Sequence, residues 1–333
     1  MQVTSSVMEA SQAATVPVVS HKKRLIPTAL KFLISSALIW WIIRGTDLSE
    51  IFNAVEFANK KLLLLAFSLH FIGYYIAAHR WRVLLKVQDI DTSIPFLIKS
   101  YMVAIFFNNF LPSTIGGDAV RAYDSWRVGE SKVGAVALIV VDRLLGVLAL
   151  MLFAAGALVI SKDLTKNLPF LYLWVPLGVL GVLVLTWMIF LPSKHVSRQI
   201  KKIRLPFLAK LSRILEKFIS AFTAFDGCRN ALVKGLGLSM ILQLNVILHY
   251  YLIGMALHFP VALHNFFLII PLAIFIMMIP VSVNAIGIRE NLFVLFFATL
   301  GVSKPEALAF AWLAYGMVLL QGLVGGLVYA LRK

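Results

Sequence analysis

The chain has 333 residues, of which 60% are hydrophobic and 14% are charged, and its mean hydropathy is +0.89. Soluble domains contain about 25% charged and about 45–50% apolar residues, so this composition excludes an ordinary soluble protein. The formal net charge of +16 does not require a nucleic-acid partner, because membrane proteins collect Lys and Arg in cytoplasmic loops that face anionic lipid. A single cysteine, Cys228, excludes an intrachain disulfide and a cysteine-based metal cluster.

The N-terminal region combines a polar segment with an apolar run. Residues 1–25 are expected to be disordered and cytoplasmic, and residues 26–43 are apolar over a length that spans a bilayer. A cleaved signal peptide is the alternative, but no small-residue cleavage site follows the run, and more apolar segments do. We therefore expect an uncleaved first helix and a single transmembrane domain over residues 26–333.

The rest of the chain contains further apolar segments, and we expect an all-α polytopic membrane protein. Five more full spans are predicted, at residues 62–78, 133–160, 170–191, 231–257 and 306–331. With two interrupted segments, 95–130 and 264–300, this makes six full spans and about eight hydrophobic segments. The basic segment 192–235 contains apolar residues at helical spacing and predicts an amphipathic helix on the cytoplasmic membrane surface. Packing of this helix against its neighbours as a linker is the alternative.

Each interrupted segment has a helix break next to charged residues. The first reads FFNNFLPSTIGGDAVR, and its break is expected at Pro112, Gly116 and Gly117. The second reads IPVSVNAIGIRE, and its break is expected at Pro280 and Gly287. Backbone that leaves helical geometry at membrane depth is tolerated only where it is buried in protein or lines a water-filled cavity. Two such breaks in corresponding halves are typical of a transporter binding site.

The distribution of basic residues predicts the topology. Three groups of basic residues belong on the cytoplasmic side: Lys22 to Arg24 before the first span, the turn with Arg80, Arg82 and Lys86 after the second span, and the basic segment 192–235. They all reach that side only if the first interrupted segment enters the membrane and returns without crossing it. The same reasoning makes the second segment re-entrant from the opposite side. Each half then consists of a span, a re-entrant hairpin and a span, an inverted repeat with both termini cytoplasmic. A full crossing of either hairpin is the alternative.

Charged side chains inside apolar segments are candidates for function, because they are costly there unless paired or hydrated. We expect Arg121, Arg143 and Arg289 to line a cavity and bind a phosphate or another anion, since guanidinium stays charged and grips oxygens bidentately. Asp118 and Glu290 would orient these arginines or exchange a proton. The alternative is a buried ion-pair network, such as Arg121 with Glu290 or Arg143 with Asp118, that only locks the two halves together.

Uncharged polar residues have weaker predicted roles. The asparagines beside the breaks, Asn108, Asn109 and Asn284, are expected to pair with freed backbone groups, and the last two are candidate substrate contacts. Other polar residues within spans are expected to form hydrogen bonds between helices, namely His70, Gln243, Asn245, His249 and Gln321. No nucleotide-binding loop, zinc-ligand spacing or Ser–His–Asp pattern is present in the sequence, and we expect neither a cofactor nor a metal.

Three blocks of this sequence resemble a known family. FLPSTIGGDAVR, VDRLLG and IPVSVNAIGIRENLF are similar to the flippase-like membrane domain of lysylphosphatidylglycerol synthases, and the resemblance covers residues 25–331. The family usually has Glu where this chain has Asp142, and Gly where it has Ala285 and Asn291. In full-length synthases the domain precedes a soluble aminoacyl-transfer domain, and it is implied to move the aminoacylated lipid between leaflets. No such soluble domain is present in this sequence, so the resemblance does not imply that this protein aminoacylates lipids.

The residues and the resemblance together predict a lipid transporter of the flippase or scramblase type in the plasma (inner) membrane. Its substrate would be an anionic phospholipid or a polyprenyl-phosphate-linked lipid. The alternative is a membrane-embedded enzyme or accessory subunit that acts on a lipid or glycolipid, with Asp118 or Glu290 as general base and a synthase or glycosyltransferase as partner. The transporter is favoured because no second carboxylate or metal cluster accompanies either acid. The lipid itself and the oligomeric state are left open.

Overall fold

The computed structural model describes most of the chain from Leu48 to Arg332. The described residues are Trp40, 48–110, 116–190, Phe225, 227–279 and 281–332. Outside them lie the predicted N-terminal segment, the predicted first span apart from Trp40, Pro112, Pro280 and the predicted amphipathic helix of the basic segment. The expectations for those parts stay predictions.

The described elements are all helical, and no strand occurs in the described ranges. The helices are α1 (Leu48–Glu56), α2 (Lys60–Lys86), α3 (Ile94–Phe110), α4 (Gly116–Arg127), α5 (Lys132–Ile160), α6 (Lys162–Asn167), α7 (Leu171–Phe190), α8 (Arg229–Ala256), α9 (Leu263–Met277), α10 (Ile288–Ala298) and α11 (Lys304–Leu331). A short 3-10 helix, Val283–Ala285, precedes α10. Within the described ranges, α2, α5, α8 and α11 are long and apolar enough to cross a membrane. This architecture confirms the predicted class of polytopic α-helical membrane protein.

Both interrupted segments consist of two helices that pack against each other. Helices α3 and α4 do so in the first half, and α9 and α10 in the second. Gly117 is what permits the first of these contacts. A Cβ added to Gly117 would collide with the Ala104 carbonyl oxygen and with the side chain of Asn108. Glycine is therefore required where α4 begins beside α3.

The two halves of the chain pack in corresponding ways. Helix α2 lies antiparallel to α8: at one end the Asn59 amide donates to the Ala256 carbonyl oxygen (2.8 Å), and towards the other Arg80 Nη1 donates to Ser239 Oγ (2.9 Å). Helix α3 packs along α11, and α9 packs along α5. In both cases the first helix of one hairpin contacts the long helix that follows the hairpin of the other half. The predicted inverted repeat requires such a pattern, because its two halves cross the membrane in opposite directions. The direction of each helix in a membrane stays a prediction.

Helix α2 is longer than predicted, because it continues to Lys86 instead of ending at Ala78. Its last turns are buried, and Trp81 and Leu84 pack into a core that includes residues of α5. Arg80, which was expected in a cytoplasmic turn, is consequently buried inside the protein. The short helices α1 and α6 were not predicted from the sequence.

Polar side chains form hydrogen bonds between α2 and α8, as predicted. Asn245 Nδ2 donates to the Leu69 carbonyl oxygen (3.0 Å), and His249 Nδ1 lies 2.9 Å from the Ala66 carbonyl oxygen. Helix association in lipid has no hydrophobic driving force and depends on close packing and on such bonds. These contacts therefore help to define the α2–α8 pair around which the halves are arranged.

Helix α11 approaches α3 through a glycine, which gives a testable prediction. A Cβ at Gly325 would collide with the Met102 carbonyl oxygen, whereas a Cβ at Gly316 would meet no atom within 4 Å. We expect Gly325→Leu to lower the free energy of unfolding by about 1–3 kcal/mol through overpacking. Gly316→Leu, the matched control in the same helix, should leave it unchanged. Thermal unfolding of the purified variants in detergent measures this, and equal melting temperatures would contradict the described α3–α11 contact.

Candidate functional site

A buried aspartate joins three helices in the first half of the chain. Asp142 on α5 is 1% exposed. Its Oδ1 accepts a hydrogen bond from Arg80 Nε on α2 (2.6 Å), and its Oδ2 accepts one from Arg121 Nη2 on α4 (2.9 Å). Arg80 also donates to Ser239 on α8. Because these bonds are charge-assisted and buried, one carboxylate holds α2, α4 and α5 together, and through Arg80 it also reaches α8.

Arg121 lies between aromatic rings beside this carboxylate. Its guanidinium is 4.6 Å from the ring centre of Trp81 and 4.2 Å from that of Tyr101, distances at which a cation is attracted to the ring face. A more distant acid on the same helix, Asp118, is 4.0 Å away. The pairing of Arg121 with Glu290 that was considered from the sequence does not form. The charge of Arg121 is instead compensated by Asp142.

A second ion pair, between Arg143 and Asp118, is more exposed. Arg143 Nη2 donates to Asp118 Oδ1 (2.8 Å), and Arg143 Nε donates to Asp118 Oδ2 (3.1 Å). The side chains are 44% and 23% exposed, respectively. This pairing was one of the alternatives considered from the sequence. Arg143 is therefore less enclosed than the two arginines bound by Asp142.

The break between α9 and α10 is a turn in left-handed backbone geometry. The φ angles of Asn284, Ala285 and Gly287 are 48°, 58° and 84°, a region that residues with side chains rarely adopt. Glu290 caps the start of α10, where its Oε2 accepts a hydrogen bond from the Gly287 amide (2.6 Å). Glu290 is only 3% exposed. It therefore stabilises the backbone of the break and pairs with neither Arg121 nor Arg289.

Arg289 is a buried cation for which the described residues provide no carboxylate. It is 8% exposed, and none of the ion pairs within the described ranges includes it. Its Nη2 donates to the Asn284 carbonyl oxygen (2.9 Å), and its guanidinium lies 4.2 Å from the Tyr315 ring centre. Its Nη1 is buried and finds no hydrogen-bond partner in the described part of the chain. Nη1 is thus a buried charged donor, and an anionic ligand would supply the hydrogen-bond acceptor that it lacks.

Asparagines connect the two hairpins and complete one of the breaks. Asn284 Nδ2 donates to Asn109 Oδ1 (3.1 Å), and Asn109 Nδ2 donates to the Val318 carbonyl oxygen (2.9 Å). Asn108 Oδ1 accepts from the Gly117 amide (2.8 Å), which confirms its predicted role of pairing with a freed backbone group. The side chains of both breaks therefore meet in one polar region.

A polar cavity of about 470 Å³ lies between the two hairpins. Asp118 and Arg143 line one wall, and Asn284 and Arg289 line another. An adjoining cavity of about 290 Å³ shares the Asp118–Arg143 pair and extends to the arginines bound by Asp142. The structure thus brings Arg143 and Arg289 to one cavity and places Arg121 in the adjoining one. Within the described ranges, no three His, Cys, Asp or Glu side chains are grouped to hold a metal ion.

Two residues of this region were missed in the sequence. Arg80 was assigned to a loop, although its spacing held a usable signal: it lies three residues after Ala77 and four before Leu84, both of which are buried. Residues at these spacings share one face of a helix, so a longer α2 would have placed Arg80 on the buried face. Tyr315, which stacks on Arg289, carries no comparable signal because an aromatic residue is ordinary in an apolar span.

The family comparison covers nearly all of this architecture. Residues 28–325 match the model of the lysylphosphatidylglycerol synthase TM region. The chain belongs to this family. The matched residues include both hairpins and every charged residue of the two polar cavities, and the match confirms the resemblance read from the sequence blocks.

Several relatives of the chain are named UPF0104 membrane proteins. One from Pyrococcus horikoshii is 25% identical over 82% of this chain and 86% of its own length. One from Methanothermobacter thermautotrophicus is 24% identical over 78% of this chain and 82% of its own length. One from Methanocaldococcus jannaschii is 27% identical over 49% of this chain and 50% of its own length. These names state a membrane protein and no substrate, in agreement with a multi-pass membrane protein of this family.

The shared carboxylate gives a prediction about stability. Asp142→Asn leaves two buried guanidiniums without their common acid, and we expect the free energy of unfolding to fall by about 3–5 kcal/mol. Asp91→Asn is the matched control, because Asp91 forms an exposed pair with Arg82 (2.8 Å) and its loss should change stability little. Denaturant titration of the purified variants in detergent compares the two. Similar stabilities of both variants would contradict the structural role of Asp142.

Proposed function

We propose that this protein moves a lipid with an anionic, phosphate-bearing head group between the leaflets of a membrane, as a flippase or scramblase. The observation that carries the proposal is Arg289, a buried guanidinium with an unpartnered Nη1 beside a polar cavity. A charge without compensation inside an apolar helical protein is costly unless a ligand completes it. Phosphate suits this position because its oxygens accept paired hydrogen bonds from a guanidinium.

A comparison of the two halves explains why Arg289 has no acid beside it. Asp142 lies eleven residues after Ser131, the N-cap of α5, and there it neutralises the arginine of the first hairpin. Helix α11 begins with the corresponding N-cap, Ser303, and the residue eleven positions later is Ala314, which lines the polar cavity. The second half thus retains the arginine of its hairpin and lacks the carboxylate. This difference supports a ligand site at Arg289 and a structural role for the first arginine.

The opposite wall of the cavity supplies a second cation. Arg143 is bonded to Asp118, and a phosphate oxygen in the polar cavity would compete with that carboxylate for the guanidinium. A head group held by both Arg143 on α5 and Arg289 on α10 would contact both halves of the chain at once. Such a ligand would couple the two halves, as expected of a substrate site in an inverted-repeat transporter.

The setting of this function follows from the charge distribution. We propose that the protein resides in the plasma (inner) membrane with both termini on the cytoplasmic side, because its basic segments belong there. The head group would cross through the polar cavity, driven by the gradient of the lipid itself or of an ion. An anionic phospholipid and a polyprenyl-phosphate-linked lipid both fit this chemistry. A synthase or glycosyltransferase that makes such a lipid would be the partner.

A second candidate is an enzyme, or an accessory subunit of one, that acts on a lipid-linked sugar or phosphate. The observation that favours it is Asp118, a carboxylate on the wall of the polar cavity, where it would act as a general base. Glu290 is less suited to that role, because it is buried and bonded to the Gly287 amide. Turnover of a donor lipid by the purified protein, lost in Asp118→Asn, would favour this function over transport.

Removing the charge of Arg289 tests the transport function. We expect Arg289→Gln to slow movement of an anionic lipid about tenfold or more, since a hydrogen bond to a charged group contributes about 1.5–3 kcal/mol. The assay uses vesicles with the reconstituted protein and fluorescent phosphatidic acid, and follows the fraction of label that an impermeant quencher reaches.

The matched control is Arg127→Gln, which removes an exposed arginine at the end of α4 and outside the polar cavity. This variant should transport at the wild-type rate. Wild-type transport by folded Arg289→Gln would rule out the assignment of the head-group site to this residue.

A further inference from the structure

An apolar cavity opens beside the polar one. It has a volume of about 770 Å³ and lies between α4, α5, α7 and α9. Its lining is aliphatic and aromatic, including Val140 and Leu144 on α5, Val182 on α7 and Phe275 on α9. We call this cavity the apolar groove. A space of this size and lining matches the pockets that proteins use for small apolar ligands, which have volumes of about 300–1,000 Å³.

The apolar groove is joined to the polar cavity by an ion pair. Among the described residues, Asp118 and Arg143 are the only charged ones that line the groove, and both also line the polar cavity, as does Met278. The two spaces therefore meet at these side chains. A ligand that occupies both must have a charged end and an apolar end, with the change in polarity near Arg143.

We propose that the apolar groove holds a hydrocarbon chain of the lipid whose head group binds at Arg289. This inference rests on the proposed function and names a site for the part of the substrate that the polar cavity does not accommodate. A membrane lipid is the molecule in this environment that has a charged head joined to a long chain. Its head group would lie between Arg143 and Arg289, and its chain would pass Met278 into the groove.

Helix α7 leaves space for such a chain. Gly181 lines the groove, and a Cβ at this position would meet no atom of the described residues within 4 Å. Gly178, one turn earlier, also lines it, and its Cβ would lie at an ordinary contact distance of 3.4 Å from Met151 Sδ. Packing among the described residues therefore does not require glycine at either position. The missing side chains instead widen the groove on the face that the chain would contact.

The empty space beside Gly181 makes a selective test feasible. Gly181→Phe puts a large side chain on the wall of the groove, at a position whose Cβ meets no atom of the described residues within 4 Å. Gly237→Phe is the matched control, because its Cβ also meets no atom within 4 Å, while Gly237 lies on α8 and outside the groove. The probe is phosphatidic acid with a photoreactive diazirine on one acyl chain, in vesicles of unlabelled phosphatidylcholine with the full-length protein. Phosphatidylcholine with the same diazirine serves as the head-group control.

After illumination, peptide mapping by mass spectrometry locates the labelled residues. In the wild type, we expect the phosphatidic acid probe to label α5 and α7 along the groove more strongly than the phosphatidylcholine probe. Gly181→Phe should lose this labelling and Gly237→Phe should keep it. Arg289→Gln should reduce it to the level of the phosphatidylcholine probe, because the head group would no longer hold the lipid in place.

Two results would overturn the proposal. Equal labelling of the groove by both probes would assign it to bulk lipid, and labelling unchanged by Gly181→Phe would place the chain elsewhere. Either result would leave the head-group site intact if Arg289→Gln still slows transport of phosphatidic acid. Failure of the proposed function has a different signature, namely wild-type transport by Arg289→Gln regardless of where the chain is labelled.

Discussion

The assembly of the first half depends on the buried carboxylate of Asp142. It binds an arginine from α2 and another from α4, and Arg80 extends the network to Ser239 on α8. A buried guanidinium is costly unless its charge is compensated, and this one acid compensates two of them and so ties these helices together. Asp142 also connects the antiparallel pair α2–α8, in which each half contributes its equivalent helix. The other contacts between the halves, α3 with α11 and α5 with α9, match each other when the halves are exchanged.

The second half has corresponding helix contacts and an arginine in its hairpin but no matching acid within the described residues, and this difference links the fold to the proposed function. The backbone groups at its break find partners nearby. The Gly287 amide donates to Glu290, and the Asn284 carbonyl oxygen accepts from Arg289. Nothing in the described residues neutralises Arg289 itself. One half therefore uses its arginine to hold helices together, while the other leaves an arginine at a cavity. The exposed Asp118–Arg143 pair stands between that cavity and the apolar groove.

Much of the fold was predictable because apolar length and Pro/Gly breaks are local properties of the sequence. The long helices and both hairpins followed from them, as did the bond between Asn108 and the Gly117 amide. The partners of the charged residues were not predictable. Arg121 had several acids available in the sequence, and its choice of Asp142 depends on how α4 meets α5. The burial of Arg80 likewise depends on tertiary packing, which extends α2 beyond its apolar run.

The central claim, that Arg289 binds the phosphate of a lipid, is tested most directly by identifying the lipids that co-purify with the protein. Wild type and Arg289→Gln would be purified in the same mild detergent, and their bound lipids compared by mass spectrometry. The account predicts one phosphate-bearing anionic lipid enriched in the wild type and lost in the variant. The same mixture of bulk membrane lipids in both samples would contradict it.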